Sequence, residues 1–183
     1  MKRFALCIIL ASTALSVSVR AATPTSATAP ADARAIAAIR ARPAVKAALA
    51  ALEAEHDQWV DNIVTLTQIP APPFKEETRA KAYADMFRAA GLTDVEIDEG
   101  GNVLGLRRGS GKPGGKLIVV SAHLDTVFPE GTPVTVRREG NKLHAPGVGD
   151  DVAGLATQLS LIKAIVGANI SAPMDILFVG DVG

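Results

Sequence analysis

The residues of this sequence that could do chemistry lie in two short stretches. An apolar run, LIVV, leads into Ser-Ala-His-Leu-Asp, so that His123 and Asp125 follow it directly. The stretch APGVGDDVAGL, residues 145–155, places the adjacent carboxylates Asp150 and Asp151 in a glycine-rich turn. Imidazole and carboxylate groups ligate metals such as zinc and transfer protons. These two stretches therefore form the candidate site.

The spacing within each stretch limits what it can do. In extended backbone, residues two apart point to the same side, so His123 and Asp125 can aim at one spot. A neutral imidazole is a good zinc ligand, and a nearby carboxylate can fix its tautomer. Asp150 lies before a predicted helix, where it could be an N-cap or, in a rigid loop, could bridge two cations. Taken singly, a hydrogen-bonded His–Asp pair and a helix cap are the commoner interpretations.

The elements that must position these residues follow from periodicity and turn chemistry. Apolar stripes predict helices over residues 75–91 and 151–167, and alanine-rich residues 35–66 form two helical stretches broken near Pro43. Short apolar runs predict strands at 95–97, 103–106 and 117–121 and a buried parallel strand at 174–180, with a hairpin over 135–145. Helices that alternate with strands predict a layered α/β domain, in which ligands bind beyond the carboxyl ends of the strands.

One glycine-rich stretch offers an alternative chemistry. GSGKPGGK superficially resembles a phosphate-binding loop. Its glycine and lysine spacing is wrong, and a strand follows where a helix is required. We therefore interpret it as a plain hairpin turn.

Composition excludes some classes of function. The chain has 183 residues, 48% of them hydrophobic and 21% charged, with a formal net charge of zero. That length fits one domain, or one domain with a tail. The charge balance does not favour binding to nucleic acid or to an anionic membrane surface.

The N-terminus predicts export. Residues 1–21 combine a basic start, an apolar run and small residues before a cleavage point after Ala21, which is typical of a secretory signal peptide. A membrane anchor is the alternative, but the run is short and rich in Ser, Thr and Ala. The predicted location is secreted or periplasmic, and residues 22–34 read as a flexible linker. Cys7 is the only cysteine, so the mature chain would hold no disulfide.

The two site motifs together carry a family resemblance. SAHLDTVFPEG followed by APGVGDDVAGL resembles the M20 family of zinc-dependent metallopeptidases. Residues 65–92 are similar to the opening loop and helix of that family, and residues 98–109 to its next hairpin. The resemblance runs from about residue 56 to the last residue. It implies a three-layer, zinc-exopeptidase-like α/β catalytic domain.

The resemblance also implies roles for named residues. His123 matches the first zinc ligand, and Asp125 matches the catalytic-site carboxylate that supports this histidine. Asp150 matches the aspartate that bridges two zinc ions, and Asp151 is expected to be structural. A cis peptide between Asp150 and Asp151 is expected. The implied cofactor is Zn²⁺, two ions in a complete site, with Co²⁺ or Mn²⁺ also open.

The same resemblance indicates what the sequence lacks. In the family, a Glu-Glu pair that provides the general base and a zinc ligand follows the strand that ends near Gly183. Residues 35–183 are therefore expected to be the N-terminal part of a truncated catalytic domain, without its lid and dimerisation domain, and to be inactive alone. The implied substrates are small peptides or N-acyl amino acids, with a homodimer only in a full-length form. The alternative is a non-catalytic remnant that binds a partner through an exposed sheet edge. No nucleic-acid partner is expected, nor a membrane after signal cleavage.

Overall fold

The computed structural model describes residues 30–112 and 115–183. The predicted signal peptide and most of the predicted linker lie outside these residues, as do residues 113 and 114 of the glycine-rich stretch. Five helices and six strands are formed in the described residues: α1 Pro30–Ala41, α2 Pro43–Ala54, α3 His56–Thr67, α4 Glu77–Ala89, β1 Asp94–Ile97, β2 Val103–Arg107, β3 Leu117–His123, β4 Arg137–Glu139, β5 Lys142–His144, α5 Val152–Gly167 and β6 Asp175–Asp181.

The N-terminal helices differ from the prediction in two ways. Helix α1 begins at Pro30, inside the segment assigned to the linker, because proline is well tolerated in a first helical turn. The segment that follows Pro43 is two helices, α2 and α3, separated at Glu55. The predicted break at Pro43 is confirmed, since Pro43 begins α2.

The main sheet has the order β1-β2-β6-β3, and β4 pairs with β5 in a separate two-stranded sheet. Strand β6 is parallel to β3 and antiparallel to β2. The interpretation of GSGKPGGK as a hairpin turn is therefore wrong, because β6 lies between the two strands that this stretch connects. The stretch belongs to the connection from β2 to β3. The strand that lies between these two is β6, the last strand of the described residues.

The core lies between one face of the sheet and helices α3, α4 and α5. The rings of Tyr83 and Phe87 from α4 pack in a tilted arrangement, Phe87 meets Phe178 from β6 edge-on, and all three side chains are fully buried. Gly105 of β2 lets α4 approach closely, because a Cβ there would lie 2.7 Å from the ring of Phe87. The predicted α/β architecture is thus confirmed, with α4 and α5 as its central helices.

The opposite face of the sheet is apolar and partly open to solvent. It is formed by Leu104, Leu106, Val119, Leu177 and Val179, which do not belong to the core cluster. The sequence predicted a buried parallel strand at 174–180, yet only Phe178 and Gly180 of β6 are buried, and Val119 of the neighbouring β3 is 56% exposed. The physical reason is that β3 is an edge strand of this sheet and the described helices contribute their apolar stripes to the other face.

None of the described helices combines the length and the apolar character needed to cross a membrane.

Candidate metal centre

Two parallel strands bring the candidate site to one edge of the sheet. Strand β3 ends at His123 and β6 ends at Asp181, and these two residues are register partners. The amide of Leu124 donates to the carbonyl of Asp181 at 2.6 Å, and the Leu124 side chain is fully buried. Because Leu124 points into the core, its neighbours His123 and Asp125 both point away from it.

The imidazole of His123 lies between two carboxylates. Its Nδ1 is 2.9 Å from Oδ1 of Asp125, and its Nε2 is 3.0 Å from Oδ1 of Asp150. The Asp125 side chain is 17% exposed, whereas that of Asp150 is 87% exposed. The buried carboxylate thus supports the ring from behind, and the exposed carboxylate shares the solvent-facing side with Nε2.

The loop before α5 separates the roles of its two aspartates. The predicted cis peptide between Asp150 and Asp151 is confirmed. Asp151 is the N-cap of α5 and accepts a hydrogen bond from the amide of Gly154 at 3.1 Å. The sequence left open whether Asp150 caps this helix. Since Asp151 provides the cap, Asp150 is left to face His123.

The glycines of this loop allow it to lie against the end of β3. Gly147 has φ +74°, and a Cβ there would lie 2.6 Å from the methyl group of Thr126. Thr126 is buried and follows Asp125 directly. The two motifs of the sequence therefore pack against each other.

The charges around His123 act on its pKa in opposite directions. Burial lowers the pKa, whereas the hydrogen bonds with Asp150 and Asp125 and the charges of Asp125 and Asp151 raise it, and the net result lies above the ordinary value. Two carboxylates around one imidazole thus favour a cation at this position, whether a proton or a metal ion.

The chemical types of the side chains at this site, an imidazole and a carboxylate, are those that bind zinc. One imidazole nitrogen and one carboxylate oxygen lie 3.0 Å apart, and a second carboxylate is hydrogen-bonded to the other ring nitrogen, as is usual for histidines that bind metals. Within residues 30–112 and 115–183, no group of three or more His, Cys, Asp or Glu side chains is arranged to hold a metal ion. The described residues therefore provide two of the three or four protein ligands that zinc usually takes.

A residue that the sequence analysis missed lies beneath the site. Arg79 of α4 is fully buried and donates to the carbonyl of Leu124, between His123 and Asp125. Its spacing of four from Tyr83 places it on the apolar stripe of α4. A charged residue on a helix face that otherwise predicts core was the pattern that could have identified it.

The other histidines stay away from the site. His56 is exposed beside Asp57, and His144 lies 3.6 Å from Glu139 in the hairpin. Arg137 and Arg138 are exposed on β4, and Trp59 packs against the core while its Nε1 donates to Thr157. The structure therefore brings His123, Asp125 and Asp150 together, whereas these other side chains make their contacts elsewhere.

Comparison with known proteins shows which family the two motifs resemble. Residues 119–182, which contain both motifs, match the model of the peptidase family M20/M25/M40. This part of the chain is therefore similar to the M20 peptidase family. The match contains His123, Asp125 and Asp150, and the family consists of hydrolases that cleave peptide bonds.

Individual relatives are similar over limited regions. Carboxypeptidase G2 from Pseudomonas sp. (strain RS-16) is 35% identical over 68 residues, which are 36% of this chain and 16% of that protein. A tripeptidase from Staphylococcus aureus superposes with a TM-score of 0.56 and 27% identity, covering 69% of this chain and 36% of the tripeptidase. Human carnosine dipeptidase 1 superposes with a TM-score of 0.61 and 14% identity over 76% of this chain and 34% of its own, and shows the shared fold. The chain thus spans about a third of the length of these solved relatives.

Proposed function

We propose that this chain contributes to a zinc-dependent hydrolase of the M20 type that cleaves a peptide or N-acyl amide bond. The observation that carries the proposal is the placement of His123 between two carboxylates, with Nε2 only 3.0 Å from Oδ1 of the exposed Asp150. The family relationship of residues 119–182 supports the reaction class.

Each site residue has a distinct part in this proposal. His123 Nε2 and a carboxylate oxygen of Asp150 would hold the metal. Asp125 accepts from Nδ1, so that the lone pair of Nε2 stays directed outward, and this is the orienting role that a carboxylate has behind a metal-binding histidine. When bound, zinc polarises the amide carbonyl and lowers the pKa of water. Asp151 keeps the loop in place as the cap of α5.

The substrate class follows from the relatives only in general terms. The matched proteins are a carboxypeptidase, a tripeptidase and a dipeptidase by name. We propose a small peptide or an N-acyl amino acid as substrate for this protein. The exposed position of Asp150 at the sheet edge supports access by such a molecule.

Residues 1–183 by themselves are proposed to turn over substrate poorly. Among the described residues, no glutamate hydrogen-bonds to His123, Asp125 or Asp150, so no general base is in place beside them. Two protein ligands also hold zinc less tightly than the usual three or four. Zinc-dependent hydrolysis of dipeptides by the purified chain at rates typical of peptidases would contradict this part of the proposal.

Zinc titration by calorimetry tests the site directly. The unaltered chain is expected to bind zinc at one place, and His123→Gln and Asp150→Asn to abolish that binding. Asp125→Asn should weaken it by about 10–100-fold, as loss of a supporting carboxylate does elsewhere. His144→Gln is the matched control, because His144 is exposed in the hairpin, where its side chain lies 3.6 Å from that of Glu139. Equal zinc binding by the unaltered chain and His123→Gln would refute the proposal.

A second candidate function is a non-catalytic module that binds a partner along β3. The observation in its favour is that β3 is an edge strand whose residue Val119 is 56% exposed. Such an edge offers unpaired backbone groups to another strand. A chain that binds a strand-forming peptide and shows no zinc affinity would favour this candidate over the hydrolase.

Export to the periplasm or the medium is also proposed, on the basis of residues 1–21. Expression in a Gram-negative host should give a periplasmic product whose N-terminus begins after Ala21. A cytoplasmic product that retains Met1 would contradict this proposal.

A further inference from the structure

We propose that Arg79 is a positioning residue of the candidate metal centre. It holds the peptide group between Leu124 and Asp125 against the proline-rich loop, residues 69–76, and so orients His123 and Asp125. The proposal rests on the proposed function for its consequence, since positioning matters only if His123 binds a metal. The contacts that carry it are independent of any metal.

Arg79 is a fully buried cation whose hydrogen bonds all go to main-chain carbonyls. Its Nη1 donates to the carbonyl of Leu124 at 2.6 Å. Its Nε and Nη2 both donate to the carbonyl of Ile69, at 3.0 and 2.6 Å. A buried charge requires such partners, and here they belong to two segments that are far apart in sequence.

The carbonyl of Leu124 is the important partner. Its peptide group joins directly to Asp125, and the amide of Leu124 already donates to Asp181 of β6. The amide of Leu124 is thus held by the sheet and its carbonyl by Arg79, so that both peptide groups that flank Leu124 are restrained. This fixes the directions of His123 and Asp125 on either side, and so the 2.9 Å contact between their side chains.

The carbonyl of Ile69 begins the proline-rich loop, residues 69–76. This loop is attached to the strand end a second time, because the amide and hydroxyl of Thr126 both donate to the carbonyl of Ala71. Thr126 in turn contacts Gly147 in the loop that carries Asp150. Arg79 is thus hydrogen-bonded to the segment that carries His123 and, through the proline-rich loop and Thr126, is connected to the loop that carries Asp150.

The charge environment agrees with this role. Burial lowers the pKa of Arg79 to about 10, while the charges of Asp125 and Glu76 act to raise it. The group therefore remains protonated at neutral pH. Its planar fork can reach two carbonyls in different directions, which a lysine ammonium on a flexible stem does not reproduce.

The test compares Arg79→Lys and Arg79→Met with two controls that are unrelated to the site. Arg88→Met removes an exposed arginine from the same helix, and Ile162→Val lowers stability from within the core at α5. The readouts are the ¹⁵N shifts of the His123 ring in the metal-free chain, hydrogen exchange of the Thr126 amide, and zinc affinity.

We expect both Arg79 variants to shift the His123 ring signals toward those of Asp125→Asn. Exchange at Thr126 should accelerate by about tenfold or more, as expected for the loss of a charge-assisted hydrogen bond. Zinc affinity should fall in parallel, while Arg88→Met and Ile162→Val leave the ring signals unchanged. Zinc binding by neither the unaltered chain nor any variant would refute the proposed function, and the ring signals and exchange would still test the role of Arg79.

The proposal is overturned if the Arg79 variants lose thermal stability while the His123 ring signals stay as in the unaltered chain. It is also overturned if neither variant folds, because Arg79 would then serve the fold as a whole rather than the site. Recovery of the ring signals in Arg79→Lys, relative to Arg79→Met, would show that the charge alone is sufficient and that the forked geometry is not required.

Discussion

Asp150 and Asp151 are chemically alike, yet their side chains serve different structures. Asp151 is bound to the first turn of α5, whereas Asp150 reaches toward His123. Gly154 is part of this arrangement, because a Cβ there would lie 2.2 Å from Oδ1 of Asp151. The cap therefore depends on a glycine within the helix that it caps.

Substitution of Gly154 gives a prediction of unusual sign. Glycine to alanine inside a helix normally stabilises by about 0.5–1 kcal/mol. Gly154→Ala should instead destabilise by about 1–2 kcal/mol, because the new methyl group displaces the Asp151 cap. The matched control is Gly167→Ala at the other end of α5, where a Cβ meets nothing within 4 Å. Urea unfolding measures both, and a stabilised Gly154→Ala would contradict the cap geometry.

The pH dependence of zinc binding provides a second prediction at this scale. The pKa of His123 is raised because its hydrogen bonds with Asp150 and Asp125 outweigh the lowering by burial. A proton on the ring competes with a metal, so the neutral form becomes available only above that raised pKa. Zinc affinity should therefore increase as pH rises and fall by up to about tenfold per pH unit below the pKa.

Calorimetric titrations at several pH values would measure this dependence. Asp125→Asn removes one of the groups that raise the pKa, so its affinity should begin to fall at a lower pH. Zinc affinity that stays constant between about pH 5.5 and 8, the range over which histidine titrates, would contradict the assignment of His123 as a ligand.

At the scale of elements, the turn between β1 and β2 is connected to the end of β6. Asp98 accepts hydrogen bonds from the amide and side chain of Asn102. Asn102 in turn accepts from the amide of Val182, just after β6. The family resemblance of residues 98–109 predicted a hairpin here, but only the sheet order placed its turn beside β6.

Loss of Asp98 should destabilise this turn in a pH-dependent manner. The hydrogen bonds from Asn102 lower the pKa of Asp98 below its ordinary value of 3.8. A carboxyl whose pKa is lowered in the folded chain stabilises the fold at any pH above the pKa that it has in the unfolded chain. This stabilisation is lost as the pH falls through the lowered pKa. The stability difference between Asp98→Ala and the unaltered chain should be full at pH 7 and narrow toward acid pH. Glu99→Ala, in the same exposed turn, is the control that should show no such difference.

At the scale of the whole molecule, the described residues form a four-stranded sheet with helices on one face, and a separate two-stranded sheet. The predicted strands and the two central helices were found because apolar periodicity identifies amphipathic segments from local sequence. The order of the strands was not predictable in this way, since the pairing of β6 between β2 and β3 joins residues more than fifty positions apart. Exposure of β3 was missed for the same reason.

The face of the sheet that the described helices leave uncovered predicts that Val119 and Val120 differ in their effect on stability. Val119 points to the open face and is 56% exposed, whereas Val120 packs against the core. Val119→Lys should leave the melting temperature nearly unchanged and reduce concentration-dependent association, because a lysine on an edge strand opposes pairing. Val120→Lys should destabilise strongly, because it buries an unpaired charge. Sedimentation velocity and thermal melts check both, and equal destabilisation by the two variants would refute the assignment of faces.

The sequence by itself determined the residue types of the candidate site, the family resemblance and the elements on either side, because motifs and periodicity are local properties. It could not decide which aspartate caps α5, nor that Arg79 is buried beneath Leu124. Those facts depend on contacts between segments distant in the chain, such as Arg79 with Leu124 and Asp150 with His123. Only the tertiary structure supplies such contacts. Packing of the core decides which polar groups are removed from water, and those groups then need hydrogen-bond partners within the protein.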